Sequence, residues 1–448
     1  MFSFTKHLAQ HNCHLLFTQT QAMPSKPLQK LSQHPVWALV AAFGTYFCMY
    51  GFRKPYTAAT YTDVAYWGID YKFLLIISQT LGYMLAKWIG IKVVAEIKPS
   101  QRIKVLIGLI LFAELTLLLF GFVPRPWNIV CLLLNGLPLG VVFGLVLGFL
   151  EGRRHSEALI AGLCASFIVA DGASKSIGNL LLHWGVPESW MPFAAGIFFM
   201  VPMAIFVAML NVVPAPSTAD VTSRSERTPM SSQARKAFFI KYAPGISGIT
   251  IVYLFVTILR SIRADFAPEL WRDLGFKQTP EIFTQSELLV SLGVVIISGF
   301  AVLIKNHYKA FRFALMTCVF GFAILLVAIN SVGHGMGNFA FMVLVGLGVY
   351  IPYVAIHTTI FERLIAITKE RANIGFLMYV VDAVGYTGYI LLMLLRYLAP
   401  PDSSILSLFL RICVYIGISG GLLVLFCNWY FKMKLKENES GVTQLSTR

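Results

Sequence analysis

The feature that most constrains this chain is its rhythm. Stretches of about 20 predominantly apolar residues, each long enough to cross a bilayer core, alternate with short loops that carry Lys and Arg. The runs fall at roughly 36–57, 71–94, 103–122, 127–150, 157–182 and 190–213, then at roughly 241–263, 283–304, 311–330, 338–361, 372–397 and 405–431. With 57% hydrophobic and only 13% charged residues, and a mean hydropathy of +0.71, a chain of 448 residues has too much apolar surface to hide in water. The expectation is an all-α polytopic membrane protein with about twelve transmembrane helices.

One long polar, Pro/Ser-rich stretch interrupts the interior, PAPSTADVTSRSERTPMSSQARK from Pro214. It reads as a flexible linker over 214–240 between two six-helix units, 35–213 and 241–431. Residues 1–34 read as a polar N-terminal extension and 432–448 as a tail. The extension lacks an apolar core of the kind a cleavable signal peptide needs, and Met23 heads an alternative start.

The net charge of +15 is not gathered on one face, as a nucleic-acid-binding surface requires. Instead the bases cluster in alternate loops: Lys26 and Lys30; Lys98, Arg102 and Lys104; Arg153 and Arg154; Arg224, Arg227, Arg235 and Lys236; Lys305, Lys309 and Arg312; Arg363, Lys369 and Arg371; Lys432, Lys434 and Lys436. The intervening loops are poor in bases, except after the seventh run, where Arg272 and Lys277 mix with Asp265, Glu269, Asp273 and Glu281. By the positive-inside rule both termini and the linker are cytoplasmic, in a plasma (inner) membrane. The seven cysteines are scattered without CxxC pairs and read as small packing residues. HExxH and GxSxG motifs are missing, so neither an enzyme nor a metal or cofactor is expected.

Charges inside apolar runs are costly, about 2.5–3.5 kcal/mol each on insertion scales, and so point to a protein interior or a water-filled cavity. Tyr46, Tyr50 and Arg53 in the first run share a helical face, and Tyr253, Thr257 and Arg260 repeat that spacing in the seventh. The second run carries Gln79, Tyr83 and Lys87, the fifth Asp171, Lys175 and Asn179, the eleventh Tyr379, Asp382, Tyr386 and Tyr389. The tenth offers Tyr350, Tyr353 and His357, the eighth Glu287.

Bland readings stand beside these. Arg53 with Lys54, Arg260 with Arg263, and the deeper Lys87 and Lys175 could snorkel to headgroups. Asp171 and Lys175 could neutralise each other. Asp382 could lock onto a base of the other half or contact substrate, and His357 could be a packing residue. The excess of cations over acids in a shared chamber favours an anionic small-molecule substrate, because a guanidinium grips carboxylate or phosphate in a bidentate manner. Glu287, Asp171 and Asp382 would balance the cations of an unliganded site, or carry protons.

The run FGTYFCMYGFRKPYTAATY resembles the first helix of the organophosphate:phosphate antiporters of the major facilitator superfamily, with Tyr50, Arg53 and Lys54 at the matching positions. Tyr83 and Lys87 in GYMLAKWIG are similar to a pair in their second helix. Arg260, Asp265 and Pro268 in LRSIRADFAP resemble the seventh, Glu287 the eighth, Tyr350, Pro352 and Glu362 the tenth, and Gly385, Tyr386 and Gly388 the eleventh. The resemblance, to these carriers or to a bacterial branch beside them, implies the major facilitator fold of two pseudo-symmetric six-helix bundles. It further implies an arginine from each half, Arg53 and Arg260, gripping a phosphoryl group by alternating access, with Lys87 and Tyr50 assisting. The loops VAEIKPSQRIK and LIKNHYKAFR depart from the superfamily's acidic-basic signature. Gly148 stands near an expected arginine, Asp171 and Lys175 near an expected histidine, and Asp382 is additional.

The resulting expectation is a secondary active transporter of a small organic anion, acting as a monomer in the lipid bilayer, in exchange for phosphate or coupled to protons. Substrate-binding candidates are Arg53, Arg260, Lys87, Tyr50, Tyr83, Tyr350 and Tyr386; coupling or gating candidates are Asp171, Lys175, Glu287 and Asp382. Two other readings stay open: a proton-coupled carrier of sugars or other polar solutes using Asp171 and Asp382, and a membrane sensor that no longer transports.

Overall fold

The computed structural model describes residues 32–62, 64–150, 153, 156–214, 232–276, 279–332, 334–368, 374–398 and 404–446. Most of the N-terminal extension, including Lys26 and Lys30, lies outside these, as do 215–231 of the linker with Arg224 and Arg227, and also Arg154, Lys277, Lys369 and Arg371.

The described chain is a polytopic all-α membrane protein. Its apolar helices are α1 (Pro35–Tyr50), α2 (Tyr71–Glu96), α3 (Arg102–Phe122), α4 (Ile129–Leu150), α5 (Ser156–His183), α6 (Met191–Asn211), α7 (Ala243–Asp265), α8 (Pro280–Leu303), α9 (His307–Asn330), α10 (Asn338–Thr368), α11 (Ile374–Leu398) and α12 (Ile405–Ser446). Eleven of these are long and apolar enough to cross a membrane, and α1 is a shorter apolar helix. Short helices cover Ser232–Lys241 and Ala267–Asp273.

Three elements end elsewhere than the apolar runs suggest. The first helix stops at Tyr50, because Gly51 caps it and Pro55, which cannot donate a helical N–H, opens a 3-10 turn over Pro55–Ala58. The tenth continues to Thr368 through a π-helical stretch, Ile356–Ile360, just after Pro352. The twelfth runs into the tail, where Lys and Glu, good helix formers, prolong it past the apolar run.

α1 packs on α4, α5 and α6, and α2 lies along α4; α7 packs on α10, α11 and α12, and α9 along α10 and α12. The first six helices meet the last six chiefly where α2 lies against α11 and α5 against α8. Glycine permits the closest approaches: a Cβ at Gly82 would overlap the backbone oxygen of Leu133, and one at Gly136 that of Gln79. With no difference in hydrophobicity between lipid and side chain to drive association, such close backbone packing is what holds membrane helices together. Cys48, Cys131, Cys164, Cys318, Cys413 and Cys427 are free and buried, as packing residues would be.

Candidate functional site

Arg53 and Arg260 come from different local structures and converge on one pair of rings. Arg53 sits past the end of α1, in a turn where its N–H donates to Tyr50 O at 3.0 Å. Its guanidinium carbon stands 3.7 Å from the Tyr83 ring centre and 5.5 Å from that of Tyr50. Gln79, one turn before Tyr83, donates to the Arg53 carbonyl at 2.8 Å and fixes this turn against α2. Arg260 lies within regular α7, donates from Nη2 to Tyr386 Oη at 2.9 Å, and has its guanidinium carbon 4.8 Å from the Tyr353 ring centre. The rings of Tyr83 and Tyr386 meet edge-on, 5.0 Å between centres. Tyr386 is thus the residue that both arginines address, one directly and one across Tyr83.

One turn further along the same helices, Lys87 Nζ stands 2.8 Å from Asp382 Oδ2, joining α2 to α11. Tyr253 Oη donates to Asp382 Oδ1, and His357 Nε2 lies 3.8 Å from that oxygen. The imidazole stacks on Tyr353, 4.7 Å between ring centres, and reaches this position from the π-helical turn of α10. A π turn shifts the side chains after it relative to a regular helix, and such turns are frequent at functional sites. The space among Arg260, Lys87, Asp382, His357 and the surrounding aromatic rings is about 10 Å³, room for about one water.

Ion pairs stand at both ends of this site. At one end Lys54 bridges Asp265, which also accepts from Tyr389 at 2.9 Å, and Lys72 reaches Glu269 at 2.5 Å. At the other, Arg363 donates to Glu157 at 2.6 Å and Ser156 to Glu362 at 3.3 Å. Apart from the Tyr389–Asp265 bond, each of these contacts joins one of the first six helices, or the turn after α1, to a residue after the linker.

The coupling candidates divide. Asp382 belongs to the site. Asp171 and Lys175 pair with each other at 2.5 Å within α5, as their spacing allowed, and Glu287 bridges Arg263. Tyr350 lies beside these two pairs and does not line the small space. None of the cations that could have snorkelled does so: Arg53, Lys54, Lys87, Lys175, Arg260 and Arg263 are all buried. Arg363, which the sequence groups with loop bases, is buried too.

Sequence reasoning did not single out Lys72, Glu157, or the rings of Phe143 and Phe167 that line the site. Lys72 and Glu157 sit at the edges of their runs, where a charge is unremarkable. Glu114 is another omission with a readable signal, a lone acid inside the apolar run LFAELTLL. It is buried with neither carboxyl oxygen hydrogen-bonded among the described residues, and it packs on Gly196, where a Cβ would overlap it.

Eight Lys and Arg side chains are buried among the described residues: Arg53, Lys54, Lys72, Lys87, Lys175, Arg260, Arg263 and Arg363. Six of them form a bridge to a carboxylate. Arg53 and Arg260 do not; the Nε and Nη1 of Arg53 and the Nε of Arg260 have no hydrogen-bond partner among the described residues. Two buried guanidinium groups without a carboxylate keep spare donors in the interior, which suits an anion; Arg260 lines the small space beside Asp382, whereas Arg53 stacks on Tyr83 and does not line it. No group of three or more His, Cys, Asp or Glu able to hold a metal ion occurs among the described residues.

No curated protein matches the chain. The sequence profile of one family, described as a family of unknown function (DUF5690), matches residues 55–434, from the turn that follows Lys54 to the end of the apolar part of α12. That match takes in α2 to α11 and the site residues they carry, while Tyr46, Tyr50, Arg53 and Lys54 precede it, and on it the chain belongs to the DUF5690 family.

Proposed function

We propose that this membrane protein is an alternating-access carrier of a small organic anion, with Arg53 and Arg260 as the anion clamp. One observation carries the reading: these two alone among the described buried Lys and Arg side chains lack a carboxylate. Burying a charge without a partner is expensive, and a protein keeps it where a ligand supplies the partner. Tyr50, Tyr83 and Tyr386 orient the guanidinium groups by stacking and hydrogen bonding, and Lys87 supplies a further cation.

In this reading the twelve helices form the two six-helix bundles of the major facilitator fold, and the resemblance to organophosphate:phosphate antiporters makes a phosphorylated metabolite the first substrate to try. The chain acts as a monomer in the plasma membrane with both termini cytoplasmic, and it is not an enzyme. Lys54–Asp265 and Lys72–Glu269 then close the outer side and Glu157–Arg363 the inner, so substrate passes when one set parts while the other holds.

Uptake of labelled glycerol phosphate and hexose phosphates into proteoliposomes tests this. Arg260→Ala is expected to lower uptake about 100-fold, the scale of losing one charge-assisted contact of about 3 kcal/mol. Full transport by Arg260→Ala removes the clamp from the proposal.

A further inference from the structure

The Lys87–Asp382 pair stands between the arginine clamp and the end of the protein that carries Glu157 and Arg363. Along α2 the order is Lys72, Tyr83, Lys87; along α11, read in the same direction, it is Tyr389, Tyr386, Asp382. Lys72 and Tyr389 touch the acids at one end, and Tyr83 with Tyr386 hold the clamp. The pair is thus one helical turn beyond the clamp, spanning the contact of α2 with α11. A solute passing that way meets this bridge.

Asp382 is the carboxylate of the site, and it faces a specific set of titratable groups. They are Lys87 from α2, Cys164 from α5, Tyr253 from α7, Tyr353 and His357 from α10, and Tyr386 on its own helix. Among the described residues Lys87 is the one Lys or Arg in direct contact with it. Its ammonium also lies 5.2 Å from the Tyr83 ring centre, so it is adjacent to the ring on which Arg53 stacks. An anion held by the arginines is therefore next to Lys87, and a carboxylate on the same lysine competes with it. Among buried side chains the two negative charges repel strongly, and a carboxylate stripped of its cation takes a proton rather than remain ionised.

On the reading that the site binds an anion, we infer that Asp382 is the proton-coupling residue: the anion takes Lys87 from Asp382, and Asp382 crosses with it as a neutral acid. The proton comes from water on the open side and binds a carboxyl oxygen of Asp382 as the Lys87 contact breaks. It returns to water on the far side when the anion leaves and Lys87 closes back onto the carboxylate. No other bond is made or broken. His357, 3.8 Å from Oδ1, stands where it can pass that proton. Asp382 is then the counter-charge that the site keeps for itself, which explains why Lys87 is bridged while the two arginines are not.

The test is a proton count on ligand binding. Purified protein in weakly buffered detergent at about pH 7 is titrated with glycerol phosphate, binding is followed by calorimetry and proton uptake by an indicator dye. Taking wild type minus Asp382→Asn cancels the probe's own second ionisation near about pH 6. The expected difference is about one proton taken up per anion bound. In proteoliposomes Asp382→Asn should keep counterflow at a reduced rate while losing accumulation driven by an inward proton gradient. Equal proton uptake by wild type and Asp382→Asn overturns the inference and leaves the anion carrier standing. The same holds if uptake disappears in His357→Gln but persists in Asp382→Asn. Failure of a panel of organic anions to bind the wild type at all sinks the carrier reading instead.

Discussion

The two main helix contacts between the first six helices and the last six are built differently. Where α2 meets α11, the joint is made of side chains: Lys87 to Asp382, Tyr83 against Tyr386, and Thr387 Oγ1 to Met84 Sδ at 3.1 Å. Where α5 meets α8, the charged residues stay on their own side, Asp171 with Lys175 and Glu287 with Arg263. The joint itself rests on close approach to backbone and on neutral hydrogen bonds. A Cβ at Gly172 would overlap the carbonyl oxygen of Phe283, Ser176 donates to Pro280 O, and Ser291 donates to Ala165 O at 3.3 Å. An ion pair can be released by a competing charge or a proton, whereas a close backbone contact depends only on shape. The physical lesson is that α2–α11 is suited to open and α5–α8 to stay in register.

Three substitutions break or sharpen that contrast, each read as thermal stability in detergent. Lys87→Met leaves Asp382 buried without its cation and should cost the most, about 3–5 kcal/mol; pairing it with Asp382→Leu should restore most of the loss, since an apolar pair often replaces a buried ion pair at no cost. A Lys87→Met protein as stable as wild type shows that charge does not hold the α2–α11 joint. Gly172→Ala should cost about 1–3 kcal/mol by forcing α5 away from α8, because the obstacle is a backbone oxygen that cannot rotate aside. If it proves neutral, the contact is looser than shape alone requires. Ser176→Ala should cost least, about 1 kcal/mol for hydrogen bonds lost to Pro280 O and Thr284. A larger loss there would mean that polar bonds rather than close packing carry the α5–α8 joint.

Much of the membrane architecture was legible because a bilayer permits few solutions. Backbone groups in hydrocarbon must bond within their own helix, so apolar run length translates almost directly into helices. Of the stripes Tyr46, Tyr50, Arg53 and Tyr253, Thr257, Arg260, the structure brings Tyr46, Tyr50 and Arg260 to one small space and Tyr253 to Asp382, while Arg53 stacks on Tyr83 and Thr257 packs against Gly385. Pairing was not legible. Asp382 offered two roles on its face, and only the approach of α11 to α2 shows that it holds Lys87. Arg263, which the sequence offered only as a side chain able to snorkel, is buried and bridges Glu287, one of the coupling or gating candidates. His357 was open to a polar or a packing role, and its approach to Asp382 was not legible, because a π turn near Pro352 leaves no periodic trace in a count in steps of 3.6.

The sequence by itself determined that this chain lies in a membrane as many apolar helices, and that it carries cations at depths where they need a reason. Both follow from the cost of exposing polar groups to hydrocarbon, a local property that each segment states alone. Which cations are neutralised and which are left free was decided only by tertiary structure. Charge pairing acts over a few ångströms between residues as far apart in the chain as Lys87 and Asp382, and no segment carries the address of its partner.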